Sequence, residues 1–500
     1  MKKMKTGIGQ SVHGNSKSCV TLVMLTVAMS LWASNVKNLG TNREVMWDME
    51  RIVVLEGGAT LKLHHPELRE VAIVYDAPWE GNVSGMSVVL QDGKTYRMYY
   101  RGLALNQPGY TNEESACYAE SDDGIHWRKP NLGLCTFNGS TANNIILTGD
   151  DTAHNFSPFI DRNPECRQDE RYKAVAGKEK EGLFGFVSSD GVHWKKISKR
   201  LLYRKDAFDS LNLAFWDPIR KLYVLYYRQW RTEGGRRRRG LQMATSSDFR
   251  TWKDFNWLSY DADAPDVQLY TNAIRPYDRA YGVYIGFPKR ISEGRTTKYD
   301  KSGIQYLSIS DGVFMSSRDG LSFKQWGEAF LRPGLQHERW INRNNYIAAG
   351  NVVITKPTIS GCPDEISLYS IENYYGRTSS RLRRMVMRLD GFVSVNAPYA
   401  GGAVTTKPLT FTAGTAGKST QLLLNASTSG AGSIRCEIRN VDGAPIKGYS
   451  LEESKVIYGD EIDLAMMWKT KSDVSQLAGK PVILHFELKD ADIYSYRFGN

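Results

Sequence analysis

The stretch Ser121-Asp-Asp-Gly-Ile-His-Trp127 indicates how this chain folds, because it occurs three more times further along. The copies are Ser188-Ser-Asp-Gly-Val-His-Trp194, Ser246-Ser-Asp-Phe-Arg-Thr-Trp252 and Ser317-Arg-Asp-Gly-Leu-Ser-Phe323. Ser and Asp side chains bond the backbone of a tight turn, and Gly accepts the positive φ that such a turn requires. We expect the aromatic residue that ends each copy to pack between neighbouring sheets. The repeat therefore predicts a series of similar β-units.

Each turn follows a set of strand-like runs, which in the first unit are Gly85–Leu90, Tyr96–Arg101 and Ala116–Glu120. Together with the strand that carries the aromatic residue, they make four strands per unit, the composition of a propeller blade. A fifth, degenerate unit is predicted at Tyr346–Val353, Glu365–Ser370 and Leu382–Arg388. The alternative is a set of unrelated hairpins, which would have to match in phase four times. The pattern favours a propeller over residues 76–390.

Beyond Asp390 the repeat stops and the composition changes. Hairpin signals stand at Ala431-Gly432 and Asp442-Gly443, and apolar residues alternate in Ser433–Val441 and Val482–Leu488. This alternation predicts a half-buried antiparallel β-sandwich over residues 391–500. Residues 34–75 are predicted as a strand-rich N-terminal segment that packs onto the propeller.

The first 33 residues concern the destination of the protein. Four lysines and no acid precede the apolar run Cys19–Ala33. A cationic lead, a short apolar core and a small residue at its end are typical of a secretory signal peptide. An uncleaved anchor is the alternative, but the run is short for one. We expect cleavage near Ala33, a secreted or periplasmic protein, and no membrane attachment afterwards.

The composition narrows the class of protein. Of 500 residues, 41% are hydrophobic and 24% charged, which is ordinary for a globular chain and excludes general disorder. The formal net charge of +11 falls to +7 once the four lysines of residues 1–33 are set aside. Without a recognised nucleic-acid module or a basic stripe, this excess does not support nucleic acid as a partner. The sequence has no C-x-x-C pair and no histidine at zinc-finger spacing, so no structural zinc site is expected.

A five-bladed propeller with S-x-D-G-x-x-W turns, followed by a sandwich, resembles the superfamily of glycoside hydrolase families 32, 43 and 68. The two-domain arrangement is most similar to family 32. The resemblance implies an all-β fold, a five-bladed β-propeller with a C-terminal β-sandwich, and a secreted enzyme that cleaves glycosidic bonds in a poly- or oligosaccharide. In these families the inner strands line a funnel, and carboxylates from the first three blades do the chemistry. A pair is needed because one protonates the leaving oxygen while the other attacks or activates water.

Carried over residue by residue, the resemblance implies three candidate catalytic acids. In the first blade, Glu80 beside Trp79 is the favoured nucleophile or base. In the second blade, Ser157 stands where the families have the stabilising Asp, and Asp161 lies four residues further on. In the third blade, Asp209 stands in for the general acid of the family.

Polar residues where inner strands begin are the candidate sugar contacts. Such positions face the funnel in the family fold, where they can hold sugar hydroxyls or a charged substituent. A hydrogen bond between blades, or a place in a surface loop, is the alternative role for each. The candidates are Trp79, His154, Asn155, Asn212, Tyr270, Asn272, Arg275, Glu338 and Arg339.

Cofactor and partner follow from the same resemblance. Some family 43 members hold Ca²⁺ near a histidine, but His154 without clustered carboxylates gives such an ion little support, so no cofactor is expected. The run Arg236–Arg239 is predicted as a solvated hairpin tip, with contact to an anionic substrate as the alternative. The expected partner is a carbohydrate, with an acidic glycan left open. The alternative to hydrolysis is a carbohydrate-binding propeller that has lost catalysis.

Overall fold

The computed structural model describes residues 36–500 except 112, 179, 198, 206, 299–307, 342, 415–417 and 470. The predicted signal segment, residues 1–33, lies outside the described residues. The chain divides into two compact units, Leu61–Ser394, and residues 36–60 together with Val395–Asn500. Helix is confined, within the described ranges, to the short segments Asp150–Ala153, Gln168–Glu170, His337–Trp340 and Ser475–Leu477. None of the helices described there is long and apolar enough to cross a bilayer.

The unit Leu61–Ser394 is a β-propeller, and its described residues form five blades, each built on four antiparallel strands. Two blades carry one extra parallel strand, Ala349–Gly350 on blade one and Ser259–Tyr260 on blade four. A small sheet of Gln268–Leu269, Lys289–Glu293 and Ser308–Gly312 accompanies blade four. From the inner strand outward, blade one is Gly85–Asp92, Thr95–Gly102, Ser115–Ser121 and Ile145–Thr148, and blade two is Ser157–Ile160, Tyr172–Lys178, Gly182–Ser188 and Lys195–Lys196. Blade three is Leu213–Asp217, Leu222–Glu233, Arg236–Ser246 and Lys253–Trp257, and blade four is Arg275–Pro276, Tyr284–Gly286, Met315–Ser317 and Ser322–Gln325. Blade five is Val353–Thr355, Glu365–Glu372, Arg381–Arg388 and Glu67–Val74.

The repeated stretch forms a tight turn that also joins neighbouring blades. In blade two, Gly191 N donates to Ser188 Oγ at 2.9 Å, and Asp190 Oδ1 accepts the next two backbone N–H groups at 2.9 Å each. Gly191 has a φ of 78°, the left-handed conformation that favours glycine. Tyr99 of blade one donates to the Gly191 carbonyl at 2.9 Å, and Trp194 packs edge-on against Phe156. The prediction of blade turns with an aromatic plug is confirmed here.

The propeller is closed by a strand from near its N-terminal end. Glu67–Val74 pairs antiparallel with Arg381–Arg388 as the outer strand of blade five, and Arg383 donates to the Arg69 carbonyl across 314 positions of sequence. The predicted boundaries differ from this division, because residues 36–60 group with the C-terminal unit and Glu67–Val74 is itself a blade strand. The pairing depends on a partner strand 314 positions away, so the local pattern of residues 34–75 does not reveal it.

The second unit is a β-sandwich, as predicted. Its longest strands, Gln421–Arg439 and Ile483–Gly499, pair antiparallel along their length, with a register shift between Thr428 and Ser433. Trp468 is fully buried, donates through Nε1 to the Cys436 carbonyl at 2.8 Å and packs edge-on against Tyr449. The other strands of this unit and of its boundary are Lys37–Gly40, Glu44–Val45, Ile52–Gly57, Thr60–Leu63, Val393–Ala397, Gly402–Thr406, Leu409–Phe411 and Asp460–Ala465.

Candidate functional site

Asp209 lies ahead of the inner strand of blade three, on a loop that leaves its side chain exposed to solvent. Phe208 is fully buried against Tyr227, with ring centroids 5.3 Å apart, and has a left-handed φ of 76°. This conformation is costly for a bulky residue, so the surrounding structure must hold it. Asn212 Nδ2 does so by donating to the carbonyl oxygens of Phe208 and Ser210 at 3.1 Å each. The Asp209 side chain is 54% exposed, and no described residue donates a hydrogen bond to it, which leaves it available to a ligand.

His154 lies between Asp209 and a second carboxylate, Glu114. Its Nδ1 is 3.0 Å from Glu114 Oε2, and its Nε2 is 3.9 Å from Asp209 Oδ1 and 3.0 Å from Asn155 Nδ2. Arg101 Nη1 donates to Asn155 Oδ1 at 3.3 Å, which orients the amide so that Nδ2 donates to the histidine. The hydrogen-bond network therefore assigns the ring hydrogen to Nδ1, where it is donated to Glu114. A carboxylate in this position fixes both the tautomer and the orientation of the imidazole.

Glu114 is a buried carboxylate that keeps its charge. Its side chain is 8% exposed, and Arg101 Nε lies 3.6 Å from Oε1. Burial acts to raise the pKa of Glu114, but the His154 hydrogen bond and the Arg101 charge outweigh it and hold the pKa below its usual value. Because one imidazole ring separates Glu114 from Asp209, their nearest oxygens are at most about 9 Å apart, within the range of glycosidase carboxylate pairs.

A cavity of about 430 Å³ opens beside Glu114. It is lined by aromatic side chains, Trp79 and Phe137, whose ring centroids are 5.6 Å apart, and by polar groups that include Thr111 and Glu113. Trp79 is held in place because its Nε1 donates to Asn144 Oδ1 at 2.8 Å. An aromatic face with a few polar groups in a cavity of this size suits a small ligand such as a sugar. Trp79 thus remains a candidate sugar contact.

Tyr270 also belongs to the surroundings of Asp209, and cations gather around its ring. Lys289 Nζ lies 4.2 Å from the ring centroid, and the guanidinium carbons of Arg228 and Arg239 lie 5.8 and 6.0 Å from it. Arg228 Nη2 is 3.7 Å from Asp209 Oδ2. The exposed carboxylate is therefore flanked by positive charge.

Glu80, predicted as nucleophile or base, is instead buried, and both of its carboxylate oxygens accept hydrogen bonds. Its side chain is fully buried, Lys129 Nζ donates to Oε2 at 2.6 Å, and Tyr100 donates to Oε1 at 2.6 Å. The Ala77 N–H donates to Oε2 as well, at 3.0 Å. Burial raises the pKa of Glu80 despite the opposing charge of Lys129. Because its oxygens are occupied and shielded from solvent, we correct the assignment to a structural role.

Asp161, the third predicted acid, has the same kind of environment. Its side chain is fully buried, and Oδ2 accepts hydrogen bonds from Lys173 Nζ at 2.6 Å and Tyr223 at 2.7 Å. Oδ1 accepts the Asn163 N–H at 2.9 Å. Lys173 belongs to blade two and Tyr223 to blade three, so Asp161 joins two blades. It is corrected to a structural residue for the same reason as Glu80.

Hydrogen bonds to nearby backbone groups occupy the side chains of Asn212, Asn272 and Arg275. Asn212 holds the Asp209 loop, and Asn272 Nδ2 donates to the Leu211 carbonyl at 3.3 Å while its Oδ1 accepts the Ile274 N–H. Arg275 donates to the carbonyl oxygens of Asn351 at 2.7 Å and Ala348 at 3.0 Å. It also lines a cavity of about 90 Å³ among the inner strands. Burial lowers the pKa of Arg275 to about 9. These three predicted contacts serve the scaffold.

Arg339 and Glu338 lie in the short helix His337–Trp340. Arg339 is 1% exposed, and its Nε donates to Asn345 Oδ1 at 3.0 Å. Burial lowers the pKa of Arg339, partly offset by the charge of Glu372. Glu338 is half-buried, and none of its described contacts brings it to Asp209. Of the sequence candidates, the structure therefore brings His154, Asn155 and Tyr270 together with Asp209.

Sequence reasoning did not identify Glu114, Arg228 or Lys289. Glu114 precedes the third strand of blade one, whereas the search concentrated on the starts of inner strands. A signal for Arg228 was present, because it directly follows the uninterrupted apolar run Leu222–Tyr227. A charge at the end of such a run must be paired, or must serve a ligand, once the strand is buried.

The residues around Asp209 do not fit a metal ion. Among the described residues, no group of three or more His, Cys, Asp or Glu side chains could hold one. Arg228 at 3.7 Å from Asp209 would also repel a divalent cation. No step is therefore assigned to a central Ca²⁺.

Comparison with known proteins finds distant matches among solved structures. No family model matches the chain, and no curated protein matches it. A thermostable family-43 glycoside hydrolase is 14% identical with a TM-score of 0.41, over 64% of this chain and 95% of its own. A Bombyx mori family 32 β-fructofuranosidase is 10% identical with a TM-score of 0.37, over 96% and 99%. An N-acetylgalactosamine deacetylase from F. plautii, in complex with blood group B trisaccharide, is 14% identical with a TM-score of 0.42, over 65% and 95%.

Proposed function

We propose that this protein cleaves glycosidic bonds, with Asp209 and Glu114 as the paired carboxylates. The observation that carries the proposal is their placement on either side of His154, with Asp209 exposed and unbonded and Glu114 held charged beside a sugar-sized cavity. Asp209 can reach the leaving oxygen as proton donor. Glu114 stays ionised, and its Oε1 accepts no hydrogen bond from a described residue, so unlike Glu80 and Asp161 it is suited to attack or to activate water. His154 and Arg101 position Glu114 and keep its charge.

Sugar release from a panel of poly- and oligosaccharides tests this proposal. We expect Asp209→Asn and Glu114→Gln each to lower kcat/KM by about 10²- to 10⁴-fold, because each removes one half of the acid–base pair. Asp122→Asn is the matched control, since Asp122 is an exposed turn residue whose described partner is Arg128. Undiminished activity of Asp209→Asn, with circular dichroism showing an intact fold, would refute the assignment.

A non-catalytic carbohydrate-binding protein is the second candidate, and the charge balance favours it. Arg228 lies 3.7 Å from Asp209, and Arg239 and Lys289 lie around the neighbouring Tyr270 ring. Such a site is suited to holding a sugar without cleaving it. If the unmodified protein binds members of the panel but releases no sugar from any of them, this candidate replaces the first.

We also propose that the protein is exported with removal of residues 1–33. The cationic lead and the apolar run Cys19–Ala33 support this proposal. N-terminal sequencing of the protein recovered from outside the producing cell is expected to begin within a few residues of Ser34. Recovery of the chain only inside the cell, or with Met1 retained in a membrane fraction, would contradict export by cleavage.

A further inference from the structure

Three basic side chains converge on Tyr270, and each comes from a strand rather than a loose loop. Arg228 and Arg239 belong to the two strands of the long hairpin of blade three, Leu222–Glu233 and Arg236–Ser246. Lys289 begins the strand Lys289–Glu293. All three have their charged ends within 6.0 Å of one ring centroid, as given above. Like charges held this close by a rigid scaffold repel one another unless an anion joins them.

The described surroundings do not supply enough negative charge to balance these cations. Asp209 lies 3.7 Å from Arg228, and Glu293 lies 3.5 Å from Arg239. Arg228 and Lys289 are each 1% exposed. Two buried atoms of Arg228, Nε and Nη2, have no hydrogen-bond partner among the described residues, and Lys289 Nζ lies 4.2 and 5.7 Å from the ring centroids of Tyr270 and Tyr346. Buried donors without partners are rare and costly in folded proteins, so their presence points to a missing ligand.

The electrostatics of the individual groups agree with this imbalance. Burial, together with the charges of Arg343 and Arg239, holds the pKa of Lys289 well below its usual value. Burial and the charge of Arg228 likewise lower the pKa of Arg239. These directions agree with positive charge that Asp209 and Glu293 balance only in part.

Arg239 is fixed in position by neighbours that leave part of it accessible. Its Nη1 donates to Gln268 Oε1 at 3.0 Å, and its guanidinium lies 4.2 Å from the Trp230 ring centroid. The side chain is still 22% exposed. The run Arg236–Arg239 is thus more than a solvated tip, because its last member turns toward Tyr270.

We propose that Arg228, Arg239 and Lys289 form a subsite for the anionic group of an acidic sugar, a carboxylate or a sulfate, next to Asp209. This inference rests on the proposed function and names its substrate class. Guanidinium groups suit both oxyanions because they offer several N–H donors in one plane. The adjoining rings of Tyr270 and Trp230 offer apolar faces for the sugar itself.

Calorimetric titration with charged and uncharged ligand pairs tests the subsite. The probes are trigalacturonic acid with its trimethyl ester, and galactose 6-sulfate with galactose. In at least one pair, we expect the charged member to bind about 10- to 100-fold more tightly than the neutral one at low salt, and the difference to shrink as salt is added. Preference within the first pair assigns a uronate, and preference within the second assigns a sulfate ester. Equal binding of both members in both pairs overturns the proposal.

Variants identify the residues responsible. Arg239→Gln and Lys289→Met should each lower affinity for the charged member by about tenfold or more without affecting the neutral member. Arg239→Lys keeps the charge and should retain most of the affinity. Arg236→Gln is the matched control, an exposed arginine at the start of the same strand. If Arg236→Gln weakens binding as much as Arg239→Gln does, the subsite as assigned is wrong.

The two proposals fail in different ways. If acidic ligands bind and no glycan is cleaved, the catalytic function fails and the subsite stands. If neutral glycans are cleaved and neither charged probe is preferred, the subsite fails and the catalytic function stands.

Discussion

Asp161 directly follows the inner strand of blade two and Asp209 precedes that of blade three, and the surroundings of these two acids are opposite. Asp161 is fully buried and accepts hydrogen bonds from Lys173, Tyr223 and Asn163. Asp209 is 54% exposed, and among the described residues only Arg228 and His154 come within 4 Å of its oxygens, at 3.7 and 3.9 Å. A carboxylate whose oxygens are filled by protein donors stabilises the scaffold, whereas one left unfilled can act on a ligand. The number of protein donors around an acid therefore separates the carboxylates that hold the scaffold from the one proposed to act on a ligand.

The largest loss of stability is expected when Asp161, whose oxygens are filled by protein donors, is changed. Asp161→Asn should lower the free energy of unfolding by about 3–5 kcal/mol, because it removes the nearest counter-charge of the buried Lys173 ammonium and leaves Glu170 Oε2 at 3.6 Å. Asp209→Asn should change it by less than about 1 kcal/mol, since the side chain is half exposed. Urea unfolding of both variants measures the difference.

A double variant shows whether the loss at Asp161 comes from the ion pair. Asp161→Asn combined with Lys173→Met removes the stranded charge, so we expect it to lose less stability than the sum of the two single changes. Equal losses for Asp161→Asn and Asp209→Asn would break the distinction between the two kinds of carboxylate.

A smaller effect on stability is expected at the aspartates of the blade turns. Their carboxylates accept hydrogen bonds from nearby backbone N–H groups but lie near solvent. Burial acts to raise the pKa of Asp190, but the hydrogen bonds from His193 and Val192 outweigh it and hold the pKa well below its usual value of 3.8. Because the folded pKa is the lower one, the stabilisation is present above pH 4 and is lost as the pH falls below that range. The urea midpoint of the unmodified protein should therefore fall more between pH 6 and pH 3 than that of Asp190→Ala. At pH 6 that variant should be less stable by about 1 kcal/mol, as for a lost cap. If the urea midpoints of the unmodified protein and of Asp190→Ala fall equally between pH 6 and pH 3, the turn carboxylate contributes nothing to stability.

The repeat made most of the fold predictable because each blade turn is a local device. Ser188, Asp190 and Gly191 form their turn from atoms within a few residues of one another, so their spacing alone reveals it. The closing strand Glu67–Val74 was not recognised, because its partner Arg381–Arg388 is distant in sequence and nothing in the strand itself names that partner.

The site was predictable where a loop motif decides it and not where a neighbour does. Asp209, His154 and Asn155 were predicted from their place ahead of inner strands, and the structure brings them together. Glu80 was also chosen from its place, but Lys129, 49 positions further on, fills its oxygen. Glu114 was missed because its role depends on contact with His154, 40 positions away. In each case the chemistry of a carboxylate was set by a donor that only the folded chain supplies.

The closing strand also determines when the propeller can close during synthesis of the chain. Arg69 and Arg383 are separated by 314 positions, and that length of chain takes about 15–60 s to synthesise. Until it is made, Glu67–Val74 has no partner strand, and the first four blades cannot be sealed into a ring. A growing chain therefore exposes an open β-edge for most of its synthesis, which makes it dependent on chaperones or on prompt export. Truncation before Arg381 should leave that edge open permanently, because the residues that pair with Glu67–Val74 begin at Arg381.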